Sequence, residues 1–299
     1  MDDEKQWLAD RFEEHRPHLR AVAYRMLGSL AEADDALQDA WLRVSRAGAD
    51  DVENMGAWLR TIVARVCLNM LRARNRRREE PLPVRLPDPL VVPDGGPLPE
   101  DEAVLADSVG LALLVVLDTL SPAERLAFVL HDMFGLTFEE IAPMVERSPV
   151  AARQLASRAR RRVRGASVPR PDPDLARQRR VVDAFLRAAR GGDFEALVRL
   201  LHPEVVLRTD YGTRRPIVDP EIHGAAAVAG SATRYSLPNA ELHPAIVNGA
   251  AGVIVTIKGR PFAIMAFTVT DGRIAAIDAI ADPERVARVT ASVLGADRD

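Results

Sequence analysis

At 299 residues the chain has room for two or three domains, and an apolar content of 47% can give each a core. A net charge of −3 excludes a global basic field, so contact with nucleic acid must come from local patches. The single cysteine, Cys67, excludes an internal disulfide, no apolar run approaches a membrane span, and the charged first residues are unlike a signal peptide; a reducing, cytoplasmic setting is expected.

In chain order, residues up to about Arg78 read as helical: an opening helix from Trp7, then Leu19 to Leu27, Ala31 to Val44, and Gly56 to Arg74. The early part is acidic (Glu32, Asp34, Asp35, Asp39, Asp50, Asp51, Glu53), whereas Arg72 to Arg78 is strongly basic. In the last of these helices Trp58, Leu59, Ile62 and Val66 recur at core spacing, which leaves Arg60, Arg65 and Arg72 outside. From Arg76 to Pro99 seven prolines and Gly95-Gly96 prevent helix and predict an extended, semi-rigid linker. Helices are expected again from near Glu100 to Gly165.

Within that stretch Thr137 to Glu146 puts Phe138, Ile141 and Val145 on one face, and Arg147-Ser148 turns the chain. Ser148 is a good N-cap and Pro149 suits the first helical position, where its missing N–H is not needed. The following helix is expected to keep Leu155, Ala159 and Val163 inward and to present Arg153, Gln154, Ser157, Arg158 and further arginines to solvent. A basic helix after a tight turn suits the DNA major groove. After a break at Val168 to Pro173, an amphipathic helix carries Val181, Phe185 and Leu186. Short β-prone runs then span Val205–Thr209, Ala245–Val247, Gly252–Lys258, Phe262–Thr270 and Arg273–Ile280, with Asp271-Gly272 as a hairpin turn. Helix first and curved sheet after predicts α+β.

Asp34-Asp-Ala-Leu-Gln-Asp-Ala-Trp-Leu-Arg43 resembles the polymerase-binding helix of an extracytoplasmic-function (ECF) sigma factor, the promoter-recognition subunit of RNA polymerase. Ala57 to Arg72 resembles that family's −10 recognition helix, and Leu120 to Arg164 its region 4, which reads the −35 element. The resemblance implies all-α region-2 (residues 1–78) and helix-turn-helix region-4 (106–168) domains, with a proline-rich linker (79–105) between them. It implies that Asp34, Asp35, Gln38, Asp39 and Trp41 meet the β′ clamp of core RNA polymerase, region 4 meeting the β flap. The −10 element would meet Asn54, Met55, Arg60, Arg65 and Arg72, the first two from the loop that forms the family's base pocket. Val150, Ala151, Arg153, Gln154, Ser157, Arg158 and Arg161 would face the −35 element. Asn69 stands where relatives carry an acid.

Residues 175–299 resemble a SnoaL-like (NTF2-like) α+β cone, a fusion known in one subgroup of these factors, where it acts as a built-in regulator. Arg85-Leu-Pro-Asp-Pro89 is similar to the subgroup's Trp-Leu-Pro-Glu-Pro-like linker motif, without the tryptophan and with aspartate for glutamate. Asp210-Tyr-Gly-Thr-Arg214 corresponds, in degenerate form, to a glycine-rich turn, and Asp282-Pro-Glu-Arg-Val286 to a terminal Asn-Pro-Asp-Lys-Leu-like motif. Leu86, Pro87, Asp88, Pro89, Asp210, Tyr211, Asn248, Gly249, Asp282 and Pro283 are therefore the expected regulatory contacts, with turn chemistry the plainer account of Asn248-Gly249. No cofactor or metal is expected, and the cone has room for a small apolar ligand. Two other functions compete: a polymerase-independent helix-turn-helix regulator, and an enzyme using Asp210, His202, His223, His243 or Asp278 as acid or base.

Overall fold

The computed structural model describes residues 2–49, 52–77, 86–95, 110–166, 169–212, 221–234 and 239–295. These form two compact units.

The first unit is helical. It contains α1 (Asp2–Leu27), α2 (Leu30–Ala47) and α3 (Met55–Arg77), then α4 (Leu111–Asp118) from Leu114 on, α5 (Pro122–Phe128), α6 (Phe138–Val145) and α7 (Pro149–Gly165). The opening helix runs unbroken to Leu27, with Pro17 inside it. Ser29 caps α2 through the Glu32 N–H, and Gly48 ends it with φ of 70°. Leu19, Val22, Leu37, Val44, Leu59, Val63, Cys67 and Leu71 fill the core among α1, α2 and α3. Trp58 and Ile62, expected inward, are half-buried, because the buried stripe of α3 runs through Leu59, Val63, Val66 and Cys67.

Capping boxes open both short helices that follow: Ser121 with Glu124 on α5, and Thr137 with Glu140 on α6. A π-helical turn, Val129–Met133, lies between them. Ser148 caps α7 and Pro149 stands at its start, as the sequence predicts. The inward stripe of α7 differs from expectation: Ala152, Ala156 and Ala159 are buried while Leu155 and Val163 are half-exposed. Alanines leave little side chain between helix axes, so α7 seats closely on its neighbours and its larger residues fall at the margins.

The second unit is α+β, with helices first and a sheet after, as the sequence predicts. It comprises α8 (Leu175–Gly191), α9 (Phe194–Leu200), β2 (Leu201–Asp210), β3 (Glu221–His223), α10 (Ala225–Arg234), β4 (Ala240–Val247), β5 (Ala250–Ile257), β6 (Arg260–Thr270), β7 (Arg273–Ile280) and α11 (Pro283–Gly295). Its sheet opens with β1 (Val91–Pro93), and the order is β1-β4-β5-β6-β7-β2-β3, with β2 and β7 parallel and the other pairs antiparallel. Three two-residue turns, Asn248-Gly249, Lys258-Gly259 and Asp271-Gly272, join β4 to β7, and both residues of each have positive φ. That is type I′ geometry, which matches the twist of the strands. One sheet face carries Val253, Val255, Phe267, Val269 and Ile277 against Val182, Phe185 and Leu197 of the helices.

Strand β1 comes from the proline-rich segment. Val91 to Pro93 pairs antiparallel with Ala245 to Val247 on the sheet edge. The extended linker expected through 79–105 therefore includes a paired strand here; 79–85 and 96–105 lie outside the described residues. Proline tolerates an edge position because it owes no ladder hydrogen bond on the open side. Leu86, Leu90, Val91 and Val92 supply the apolar surface that an unattached linker would lack.

Candidate polymerase, promoter and linker-binding surfaces

On α2, Asp35, Gln38 and Leu42 are exposed and Asp39 half-exposed, one turn after another along one face. Asp34 is bonded by Arg20 (2.7 and 3.0 Å), and Asp39 pairs with Arg43 at 2.8 Å. Exposed pairs of this kind contribute about 0–1 kcal/mol, so both carboxylates can exchange partners. Trp41 is half-buried, tilted against Phe12 with centroids 5.3 Å apart. Leu42, 47% exposed, is a candidate that sequence reasoning missed, although its place one turn beyond Gln38 on an acidic face was visible there.

The loop into α3 borders a pocket of about 600 Å³ lined by Ala47, Gly48, Ala49, Val52, Glu53, Asn54 and Trp58. Asp50 and Asp51 lie outside the described residues. Asn54 plays a structural part, since its side-chain oxygen accepts from the Ala57 N–H at 3.0 Å and caps α3. Met55 begins the helix and is half-buried. Trp58, read from the sequence as core, instead offers a partly exposed ring to the pocket. One α3 arginine turns toward α6. Arg65 donates to the carbonyl of Pro143 (3.0 Å), one of the oxygens a helix end leaves unpaired. Arg60 is half-buried, and its charge helps to lower the pKa of both His18 and Glu140, though burial for His18 and the bonds from Thr137 for Glu140 are the larger causes. Arg72 is half-buried, and Asn69 is exposed.

On α7, Val150, Gln154, Ser157, Arg158 and Arg161 are exposed along one face, and Ala151 is half-buried. Arg153 lies over the Phe138 ring, 5.3 Å from its centroid, and that ring stacks on His131 at 4.0 Å. Arg158 and Arg162 reach the buried Glu124 at 3.4 and 2.9 Å, and Arg160 bonds Asp132 at 2.7 Å. These ties fix the helix on α5 and the π turn.

The segment 86–92 is buried against the second unit. The Leu86 N–H donates to Asp210 Oδ2 (2.8 Å), and Leu90 and Asn248 exchange two bonds, Leu90 N–H to Asn248 Oδ1 (3.1 Å) and Asn248 N–H to the Leu90 carbonyl (2.8 Å). The centre of the contact is Arg285 on α11. Its guanidinium bonds Asp88 (2.7 Å), the Leu86 carbonyl (2.6 Å) and Asp210. Sequence reasoning missed Arg285, since one arginine on an amphipathic helix looks solvated. Pro87 and Pro89 are buried. Asp282 caps α11 through the Glu284 and Arg285 N–H groups, both at 3.0 Å, and Pro283 is an exposed first helical residue. Gly212 has φ of 69°, and a Cβ there would collide with the Asp282 carboxylate, so this turn needs glycine. Gly249 serves the β4–β5 turn, and Tyr211 is half-buried. Thr213 and Arg214 lie outside the described residues.

The acid–base candidates are otherwise occupied. Both oxygens of Asp210 hold backbone or Arg285. Asp278 is bonded by Arg208 (2.6 and 3.3 Å), and burial pushes its carboxyl above the usual range against that pull. His202 Nδ1 accepts from the Glu204 N–H, His243 meets Thr256 at 3.0 Å, and His223 lies 3.4 Å from Glu221. No helix among the described residues is long and apolar enough to cross a membrane.

Comparison with known proteins agrees with this layout. Residues 11–77 match Sigma-70 region 2, and residues 110–163 match Sigma-70 region 4. The ECF RNA polymerase sigma factor SigJ of Mycobacterium tuberculosis is 38% identical over 288 residues, covering 92% of this chain and 91% of SigJ. The probable ECF RNA polymerase sigma factor SigI of the same organism is 31% identical, covering 94% of this chain and 95% of its own. The crystal structure of SigJ superposes with a TM-score of 0.72 at 34% identity, over 93% of this chain and 97% of that one. These relatives are sigma factors and not enzymes, which sets aside the catalytic alternative. With likeness along nearly the whole length, appended domain included, the chain belongs to the family of ECF RNA polymerase sigma factors.

Proposed function

We propose that the chain is a promoter-specificity subunit whose linker is held by its own C-terminal domain. As a sigma factor it binds core RNA polymerase and promoter DNA, which places its work in the cytoplasm. The finer assignments follow from the surfaces above. The exposed face with Asp35, Gln38, Asp39 and Leu42 suits a basic coiled coil of the β′ clamp, where complementary charge sets orientation and on-rate. Region 4 takes the β flap and the −35 element through α7. The pocket beside Trp58 suits an unstacked −10 base, with α3 arginines tracking the strand. For Arg65 to reach a phosphate it must first leave Pro143.

The observation that carries the regulatory part is Arg285, which joins Asp88 and Leu86 of the linker to Asp210 of the domain. Chain held at 86–93 is withdrawn from the length free to connect regions 2 and 4. A tethered domain acts at roughly millimolar effective concentration, so it engages without a second protein. The helix-facing side of the sheet, where a small ligand was expected, is filled by Phe185, Leu197, Phe267 and their neighbours; this favours holding the linker over holding a ligand. The test is transcription in vitro with core polymerase, comparing the full chain with R285M. Promoter-specific transcript whose yield changes in R285M supports the reading, and the direction of change gives the sign of control. Identical yield at every core concentration would remove the regulatory role; no promoter-specific transcript from either would remove the promoter assignments.

A further inference from the structure

We propose that α7 selects its DNA element through the C5-methyl group of a thymine packed on Val150, beside an adenine gripped by Gln154. This rests on α7 being the −35 recognition helix. Val150 is the second residue of α7 and 66% exposed, more than any other large apolar side chain among the described residues. One exposed valine is ordinary on a surface; its setting here is not. A β-branched residue is a modest helix former, and helix N-termini favour acids, yet the first turn of α7 carries none. An acid there would repel phosphate, and the valine offers a stiff apolar knob at the tip of an otherwise arginine-rich face.

That tip is fixed in place. Ser148 accepts from the Ala151 N–H at 3.2 Å, and Pro149 sets the backbone at the first position. Arg153 is stacked on Phe138, and Phe138 on His131, so the first turn rests on a layered support. Farther along, Arg158 and Arg162 tie the helix to Glu124.

Val150 has no hydrogen-bonding side chain, so it can read only shape and apolar surface. In the major groove, thymine presents a methyl group, and apolar side chains contact it there. Gln154 lies one turn on along the same face, and its amide offers the donor and acceptor that pair with adenine N6 and N7. Neighbours at that spacing are about 5–6 Å apart, against a base-pair rise of about 3.4 Å, so the two contacts fall one or two steps apart.

The experiment uses the full chain reconstituted with core polymerase to enrich duplexes from a library randomised across both promoter elements. Each thymine of the enriched −35 element is then replaced by deoxyuridine, which lacks only the methyl group. Replacement at one thymine should weaken wild-type binding about fourfold, the effect of losing one buried methyl. V150A should bind the unmodified duplex weakly and be indifferent to deoxyuridine at that thymine, whereas V150I should keep the sensitivity. Q154A should lose the preference for adenine one or two steps away. Thermal melting of each variant at the wild-type temperature shows that the fold is intact. If wild type tolerates deoxyuridine at every −35 position, or V150A stays as sensitive as wild type, Val150 does not read the methyl, even though enrichment upholds α7 as the reader. Failure to enrich any −35 sequence overturns both the recognition reading and this proposal.

Discussion

Arg125 in the helical unit and Arg285 in the C-terminal unit are both buried guanidiniums that bond backbone carbonyls far away in sequence, but the first bonds one carboxylate and the second bonds two. Arg125, 1% exposed, bonds Asp118 and donates twice to the Arg25 carbonyl (3.2 and 3.3 Å), fastening the end of α1 to α5. Its one carboxylate, Asp118, is shared with Arg74 at 3.1 Å, and Arg74 also lies 3.6 Å from Glu32. Burial is the main influence on Arg125 and pulls its pKa down, with Asp118 opposing. Arg285 instead is one guanidinium bonded to two buried carboxylates, Asp88 and Asp210, with Arg288 3.6 Å from Asp88. A buried ion pair is weak evidence of net stability, but removing one member strands the other. The two sites should therefore respond differently to the same substitution.

The largest expected effect is at Arg285. R285M leaves Asp88 and Asp210 buried without their main cation, which costs about 3–5 kcal/mol and should release the linker. Thermal unfolding gives the magnitude, and proteolysis confined to the linker gives the release. Adding D210N to R285M should recover part of the loss, and equal stability of the single and double variants would mean that stranded charge is not the cause. At Arg125 the same change is milder. R125M leaves Asp118 with Arg74, and the loss is mainly the two bonds to the Arg25 carbonyl, about 1–3 kcal/mol.

Cys67 separates these two outcomes without calorimetry. It is fully buried in α3, and burial pushes its thiol up to about 12, so at pH 8 almost none is thiolate. In the native protein a thiol reagent should label it only through opening of the helical unit. R125M should speed labelling by roughly ten- to a hundredfold, in proportion to its loss of stability. R285M should leave the rate near that of wild type, since Cys67 belongs to the other unit. Equal acceleration by both would show that the units open together.

The unequal legibility of these two sites has physical causes. The Ser148-Pro149 cap, the Asp271-Gly272 turn and the main strands were readable because each rests on contacts between chain neighbours. The docked linker was half readable: Leu86, Asp88, Asp210 and Asn248 were all expected contacts, but proline density predicted an extended chain and not a paired strand. Pairing decided it, and pairing joins positions more than 150 residues apart. Arg285 stood inside the Asp282 to Val286 motif, but nothing local gave its role, which comes from Asp88 and Asp210. The α7 stripe was misplaced because Leu155 and Val163 outrank alanine in hydrophobicity, whereas close helix approach selects Ala152, Ala156 and Ala159. The turn of Arg65 toward α6 was equally hidden, because basic charge reads as outward until a carbonyl such as that of Pro143 is in place.

The smallest expected effect extends the contrast to turns. In the C-terminal unit each left-handed pair ends in glycine, and two begin with Asn248 or Asp271, residues that tolerate this region. In the helical unit Glu146 ends α6 at φ 57° and ψ 46°, a left-handed position that costs a side chain such as glutamate roughly 1–2 kcal/mol. Its N–H bonds the Ala142 carbonyl, so the turn itself is well made and only the side chain is misplaced. E146G removes that strain but gives glycine's extra freedom to the unfolded chain, leaving a net gain of about 0.5–1 kcal/mol. Denaturant unfolding should show a higher midpoint with an unchanged slope. An unchanged or lower midpoint would mean that Glu146 makes a compensating contact across the helix-turn-helix, and that the turn is matched to glutamate as the hairpins are matched to glycine.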